Sequence, residues 1–183
     1  SLARPAVHNA FDEVLIAEFY GGFHFWVTVI GLAIQLFLVA RIYRTVGVRG
    51  ALLVLPTVAA IGYGLLALSP LLGGFVPIFT LIRFVKIAEN ATDYSIMNTT
   101  RQALFLPVDR DSKYEGKTAI DTFFWRIGDL IQAGVVYVGL NVLGWAAPTF
   151  ALLNLVLALA WIALAVAIGR EFTRILYSDA LDF

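Results

Sequence analysis

Residues 83–102 read RFVKIAENATDYSIMNTTRQ, a stretch that holds the cations Arg83, Lys86 and Arg101 beside the carboxylates Glu89 and Asp93. On a helix turning about 100° per residue, Arg83, Lys86, Asn90, Asp93, Met97 and Arg101 fall in a stripe less than about 90° wide, with Glu89 at its edge. Phe84, Ile87, Ala91 and Ile96 take the opposite face. A second such face follows at Asp121, Trp125, Asp129 and Gln132, with Arg126 on its flank. Cations in this arrangement can replace the hydration of an anion by charge-assisted hydrogen bonds to its oxygens, while neighbouring carboxylates hold them when no anion is present. Two readings follow. In one, Arg83, Lys86 and Arg126 neutralise Glu89, Asp93, Asp121 and Asp129 in a buried network: Lys86 reaches Glu89 or Asn90 within its helix, and Arg126 reaches Asp129. Arg101, Asp121 and Arg126 would then sit at, or snorkel to, the headgroup level. In the other, the groups line a water-filled path for a charged solute, the usual meaning of ionisable residues at membrane depth.

Membrane depth is what the rest of the chain demands. Of its 183 residues 60% are hydrophobic and 14% charged, against about 25% charged in soluble domains. We therefore expect an all-α integral membrane protein, in which each charge at the centre of a span costs about 2.5–3.5 kcal/mol. The net charge of zero gives no reason to expect a nucleic-acid partner. The absence of cysteine excludes disulfides, thiolate metal sites and cysteine catalysis. His8 and His24 are too few for a histidine metal cluster; His24, beside Trp26, fits an interfacial polar residue better than a haem or chlorin ligand. No HExxH, phosphate-cradling glycine loop with lysine, Ser/Lys pair or paired-Asp signature occurs. Neither an enzyme nor a cofactor or metal is expected.

Spans of about 20 apolar residues lie at about 22–40, 51–69 and 148–169, and two more, weakened by charge, at about 77–98 and 119–142. Turn formers separate them at VGVRG (46–50), SPLLGGFVP (69–77), LPVDRDS (106–112) and NVLGWAAP (141–148). Ser112 and Glu115 have capping-box spacing, which places a helix start near Lys113. Ala59, Ala60, Gly62, Gly64 and Ala67 offer a small-residue face for close helix packing. Trp145, Trp161 and Tyr177 suit interfacial or lipid-facing anchoring. Arg41, Arg44 and Arg49, then Arg101, Arg110, Lys113 and Lys117, then Arg170 and Arg174 occupy alternate connections and the tail, whereas 70–76 and 141–147 carry no charge. The positive-inside rule then puts an N-terminal segment (1–21) outside the cell, the bundle at 22–169, and the tail (170–183) in the cytoplasm. SLARPAVHNAFDEV is not a signal peptide and begins with Ser1, so the chain is expected to start partway through a longer product.

The run 89–129 carries D-Y-S-x-M-N at Asp93–Asn98, R-Q-A-L-x-L-P at Arg101–Pro107, K-Y-x-x-K at Lys113–Lys117 and I-D-T-F-x-x-R-x-G-D at Ile120–Asp129. In order and spacing it resembles the ATP/ADP carrier-like nucleotide transporters of plastids, obligate intracellular bacteria and free-living relatives. That resemblance implies an architecture similar to the major facilitator superfamily, with the five spans here as the last five helices, the eighth to the twelfth. It also implies a missing N-terminal half and seventh helix, a bacterial inner membrane, and a nucleotide or similar anion as solute. For such a solute, charge and position, rather than the family motif, assign the roles: Arg83 and Lys86, then Arg126, would contact phosphate. Glu89, Asp93 and Asp129 would hold those cations between substrates, and Asn90 would read sugar or base. A second function class stays open: a carrier relic that serves as a structural or accessory subunit among partner membrane proteins.

Overall fold

A computed structural model describes residues 3–72, 77–108 and 110–179, leaving out the side chains of 3–12, 72, 110–112, 115, 121 and 177–179. The expectations for Arg4, His8, Arg110, the Ser112–Glu115 cap, the Asp121 side chain, the Tyr177 anchor and the end of the tail therefore lie outside the described residues. Every regular element among the described residues is a helix. The chain runs through α1 (Ala3–Ala33), a π-turn (Ile34–Leu38) and α2 (Val39–Ala67). A short 3₁₀ turn, Ser69–Leu72, precedes α3 (Ile78–Thr92), a second π-turn (Asp93–Met97) and α4 (Asn98–Leu104). Then come α5 (Arg110–Thr118), a third π-turn (Ala119–Phe124), α6 (Trp125–Asn141) and α7 (Ala147–Asp179).

Among the described residues, three helical stretches are long and apolar enough to cross a membrane: Glu13–Ala67, Gly116–Asn141 and Ala147–Leu176. The first exceeds any single span at 55 residues, and it is broken at Gly47, whose φ of 66° and ψ of −170° suit only glycine. Residues from both sides of that break meet in one cluster, where Val39, Ala51 and Ile96 pack with Ile34 and Val54. The expected 46–50 connection is thus narrowed to one glycine. The segment 78–104 is long enough to span but is too charged to meet the same apolar criterion.

Helix ends depart from the sequence expectations where no breaker stops the helix. α1 is already under way at Ala3 and runs into the apolar stretch expected as a span at about 22–40. α5 is already under way at Arg110, three residues before Lys113, once Pro107 has ended the preceding helix. After α6, Gly144 takes the left-handed conformation (φ 62°) that closes the turn into α7.

α2 is the central helix, packed on α7 along one side and on α3 and its π-turn along the other. On α7, Ala151, Ala158 and Ala165 are buried seven residues apart, a small-residue seam that lets two backbones approach. On α2, Leu52, Leu55, Ala59, Gly62 and Leu66 are buried at helical spacing. The expected small-residue face is present in part. Ala59 and Gly62 are enclosed, and a Cβ at Gly62 would come within 2.5 Å of Val85 on α3. α1 packs on α3. α6 is exposed along its length apart from Gly139, which meets Trp145 and Phe150 at the turn into α7.

Candidate functional site

α3, its π-turn and α4 form one continuous helical rod that carries most of the charged row. Val85, Ile87, Ala91, Thr92, Ser95, Ile96, Met97 and Thr100 are buried, while Arg83, Lys86, Glu89, Asn90, Asp93 and Arg101 are partly exposed. The polar row thus lies on the side of the rod away from its core and is not enclosed by the other helices. Among the described helices, two positions differ from the expected stripe. Met97, expected on the stripe, packs with Leu52, Leu55 and Ala165 in the core. Phe84, expected on the apolar face, is exposed and borders an open pocket beside Trp26 and Arg83.

The π-turn explains Met97. It accommodates one extra residue, so everything after it is rotated by about 100° relative to an uninterrupted α-helix. That rotation carries Met97 into the core and aligns Arg101 with Asp93, eight residues earlier, at 3.5 Å. The hydroxyls of this segment are absorbed locally. Thr92, Ser95, Thr99 and Thr100 each donate to the carbonyl four residues back, and Thr100 also receives the Tyr43 hydroxyl at 2.9 Å.

The centre of the row is a three-membered ring. Lys86 Nζ donates to Glu89 Oε2 at 2.8 Å and to the hydroxyl of Tyr63, on α2, at 2.7 Å. Tyr63 in turn donates to Glu89, 3.0 Å from Oε2. The lysine nitrogen also lies 5.3 Å from the Tyr63 ring centroid. The side chains of Lys86 and Glu89 remain 45% and 23% exposed, so the ring is held in place yet open on one side. Arg83 sits one turn earlier with its guanidinium 5.2 Å from the Phe19 ring centroid on α1. A Cβ at Gly22 would come 3.1 Å from that guanidinium, so a glycine there lets it lie against α1. No carboxylate pairs with Arg83 among the described residues. Phe19, Tyr20, Phe23 and Phe79 line a small pocket together with Arg83 and Lys86. Asn90 donates its amide to the Lys86 carbonyl at 2.7 Å, leaving its side-chain oxygen as an acceptor.

The structure therefore brings together Arg83, Lys86, Glu89, Asn90 and Asp93. It does not bring Arg126 or Asp129 to them. Both are exposed on α6, and they form no ion pair with each other among the described residues, although their spacing allows one. Asp129 borders a shallow groove that α6 makes with its own Gln132, Val136 and Tyr137. Tyr63 is the member that sequence reasoning missed. Its one signal is a hydroxyl in an apolar span, a group that needs a partner.

The chain matches the family model described as "TLC ATP/ADP transporter" over residues 10–172. It is 25% identical over 173 residues to ADP,ATP carrier protein 1 of Chlamydia pneumoniae, covering 85% of this chain and 33% of the relative. It is 31% identical over 133 residues to ADP,ATP carrier protein 2 of Chlamydia trachomatis, covering 68% of this chain and 23% of the relative. The plastidic ATP/ADP-transporter of Solanum tuberosum is 27% identical over 101 residues, 53% of this chain and 16% of the relative. The chain spans about a third of the length of the first of these relatives. No solved structure matches.

Proposed function

The chain belongs to the TLC ATP/ADP transporter family, and from that premise we propose that it is the C-terminal part of a membrane carrier that exchanges nucleotides of the ATP/ADP type. The observation that carries this reading is the open row itself: Arg83 and the Lys86–Tyr63–Glu89 ring lie on the uncovered side of packed, apolar helices. A nucleotide with its phosphates cannot enter hydrocarbon unaided. Arg83 and Lys86 take its phosphate oxygens, and Glu89 and Asp93 hold cations of the row between substrates. In a carrier of the alternating-access kind such a row faces the second half, across a site near the midplane. The Gly47 break and the three stretches able to cross a membrane are compatible with five spans placed as the last five helices of a major-facilitator-type carrier. The matching orientation is N-terminus outside and C-terminus in the cytoplasm of a bacterial inner membrane. Arg126 and Asp129 stand as a second group on α6, whose share in the pathway an Arg126→Ala variant measures. No observation favours the accessory-subunit alternative.

The test is nucleotide exchange by the full-length protein in liposomes. Lys86→Ala and Arg83→Ala are each expected to lower ATP uptake efficiency at least about ten-fold, the loss of one charge-assisted hydrogen bond of roughly 1.5–3 kcal/mol. Uptake at the wild-type rate by both variants, at equal protein in the membrane, removes these residues from the pathway.

A further inference from the structure

Beside the charged row lies a second groove, of about 780 Å³, whose lining is uncharged and mixes apolar surface (Val27, Leu32) with polar side chains. His24 and Thr28 line it from α1, Gln35 from the π-turn that follows α1, and Tyr94, Asn98 and Gln102 from the opposite rod. His24 and Thr28 are about 40° apart on α1 at 100° per residue, and Gln35 follows in the π-turn on the same groove. All six are exposed. The side-chain amides of Gln35, Asn98 and Gln102 form no hydrogen bond with another described residue. Three amides without a partner on two facing helical segments favour a polar occupant over an apolar one. No Asp, Glu, Lys or Arg borders the groove, which disfavours an ion.

We infer that this groove receives the base of the transported nucleotide, with adenine the best-matched edge; the inference rests on the nucleotide-carrier reading above. A primary amide donates and accepts side by side, the pattern that pairs with N6 and N7 of adenine. Tyr94 supplies a face for the base to stack on, and His24 is held from the other helix, stacked against Tyr20 with centroids 6.5 Å apart. Tyr94 follows Lys86 by about 12 Å along the rod at 1.5 Å per residue, with Asn90 and Asp93 between. An extended nucleotide can bridge that separation, phosphates at the cations and base at the amides. Division of the site into a charged and an uncharged part predicts that phosphate affinity and base preference can be changed separately.

The experiment compares inhibition of labelled ATP uptake by unlabelled ATP, GTP, CTP and inorganic tripolyphosphate, using full-length protein in ADP-loaded liposomes. Asn98→Ala and Gln35→Ala, on different helices, are each expected to reduce the preference for ATP over GTP and CTP about ten-fold, near the upper end for one lost hydrogen bond. Inhibition by tripolyphosphate should stay within about two-fold of wild type, since it uses only the cations. Should Asn98→Ala fail to reach the membrane, Asn98→Ser keeps a polar group of smaller size and is read in the same way. Unchanged base preference with intact uptake overturns the inference and leaves the carrier reading standing. A parallel loss towards all four competitors also overturns it, because it marks a packing role. Wild-type protein that exchanges no nucleotide at all overturns the carrier reading first.

Discussion

Lys86 is held by Glu89 from its own helix and by Tyr63 from α2, and the two partners do different work. Glu89 balances charge, whereas the Tyr63 hydroxyl fixes where the ammonium points. Tyr63→Phe keeps the ring and removes the hydroxyl. Exchange efficiency is expected to fall about two- to ten-fold, the range of one neutral hydrogen bond of roughly 0.5–1.5 kcal/mol, with protein yield unchanged. Glu89→Ala is expected to cost more in yield, because it removes the charge that balances a partly buried lysine at membrane depth; membrane-fraction immunoblotting separates the two outcomes. The Lys86–Glu89 contact was legible in the sequence because three residues on a helix make neighbours. The Tyr63 contact was not, since it joins residues 23 apart and depends on how α2 packs against α3. The same rule of spacing permits Arg126–Asp129, yet their side chains are directed outward on an exposed helix. Reach along a helix allows a pair to form and does not oblige it to.

Among the elements, the approach of α2 to α3 sets where the ring can form. Gly62 faces Val85 with no room for a side chain, so Gly62→Ala is expected to destabilise the pair by about 1–3 kcal/mol through overpacking. Thermal unfolding in detergent should show a lowered midpoint; an unchanged midpoint would mean that the helices are less tightly opposed than described. The polar segments of the rod were legible as helix and as one-sided. Their register past Asp93 was not, because a constant 100° step leaves no place for the extra residue in the π-turn. Met97 was misplaced for that reason alone. The break at Gly47 was legible only as a region, VGVRG, in which two glycines could serve and one does.

At the scale of the whole molecule, the charged row and α6 both stay uncovered by the packed helices. In the carrier reading proposed above, the row would face the rest of the transporter. The proposed orientation predicts that a cysteine placed at Thr45, an exposed residue near the Gly47 break, reacts only with reagents that reach the cytoplasm. One at Leu71, exposed in the 3₁₀ turn, should react from outside in intact cells. Residues 1–183 hold no cysteine, any cysteine elsewhere in the full-length protein is first replaced by serine, and the opposite pattern would invert the topology. The central claim, that the row serves nucleotide exchange, is tested most directly by uptake of labelled ATP into liposomes holding the full-length protein. With ADP trapped inside, rapid uptake is predicted, and with empty liposomes almost none. Equal uptake in both, or none in either, would contradict it.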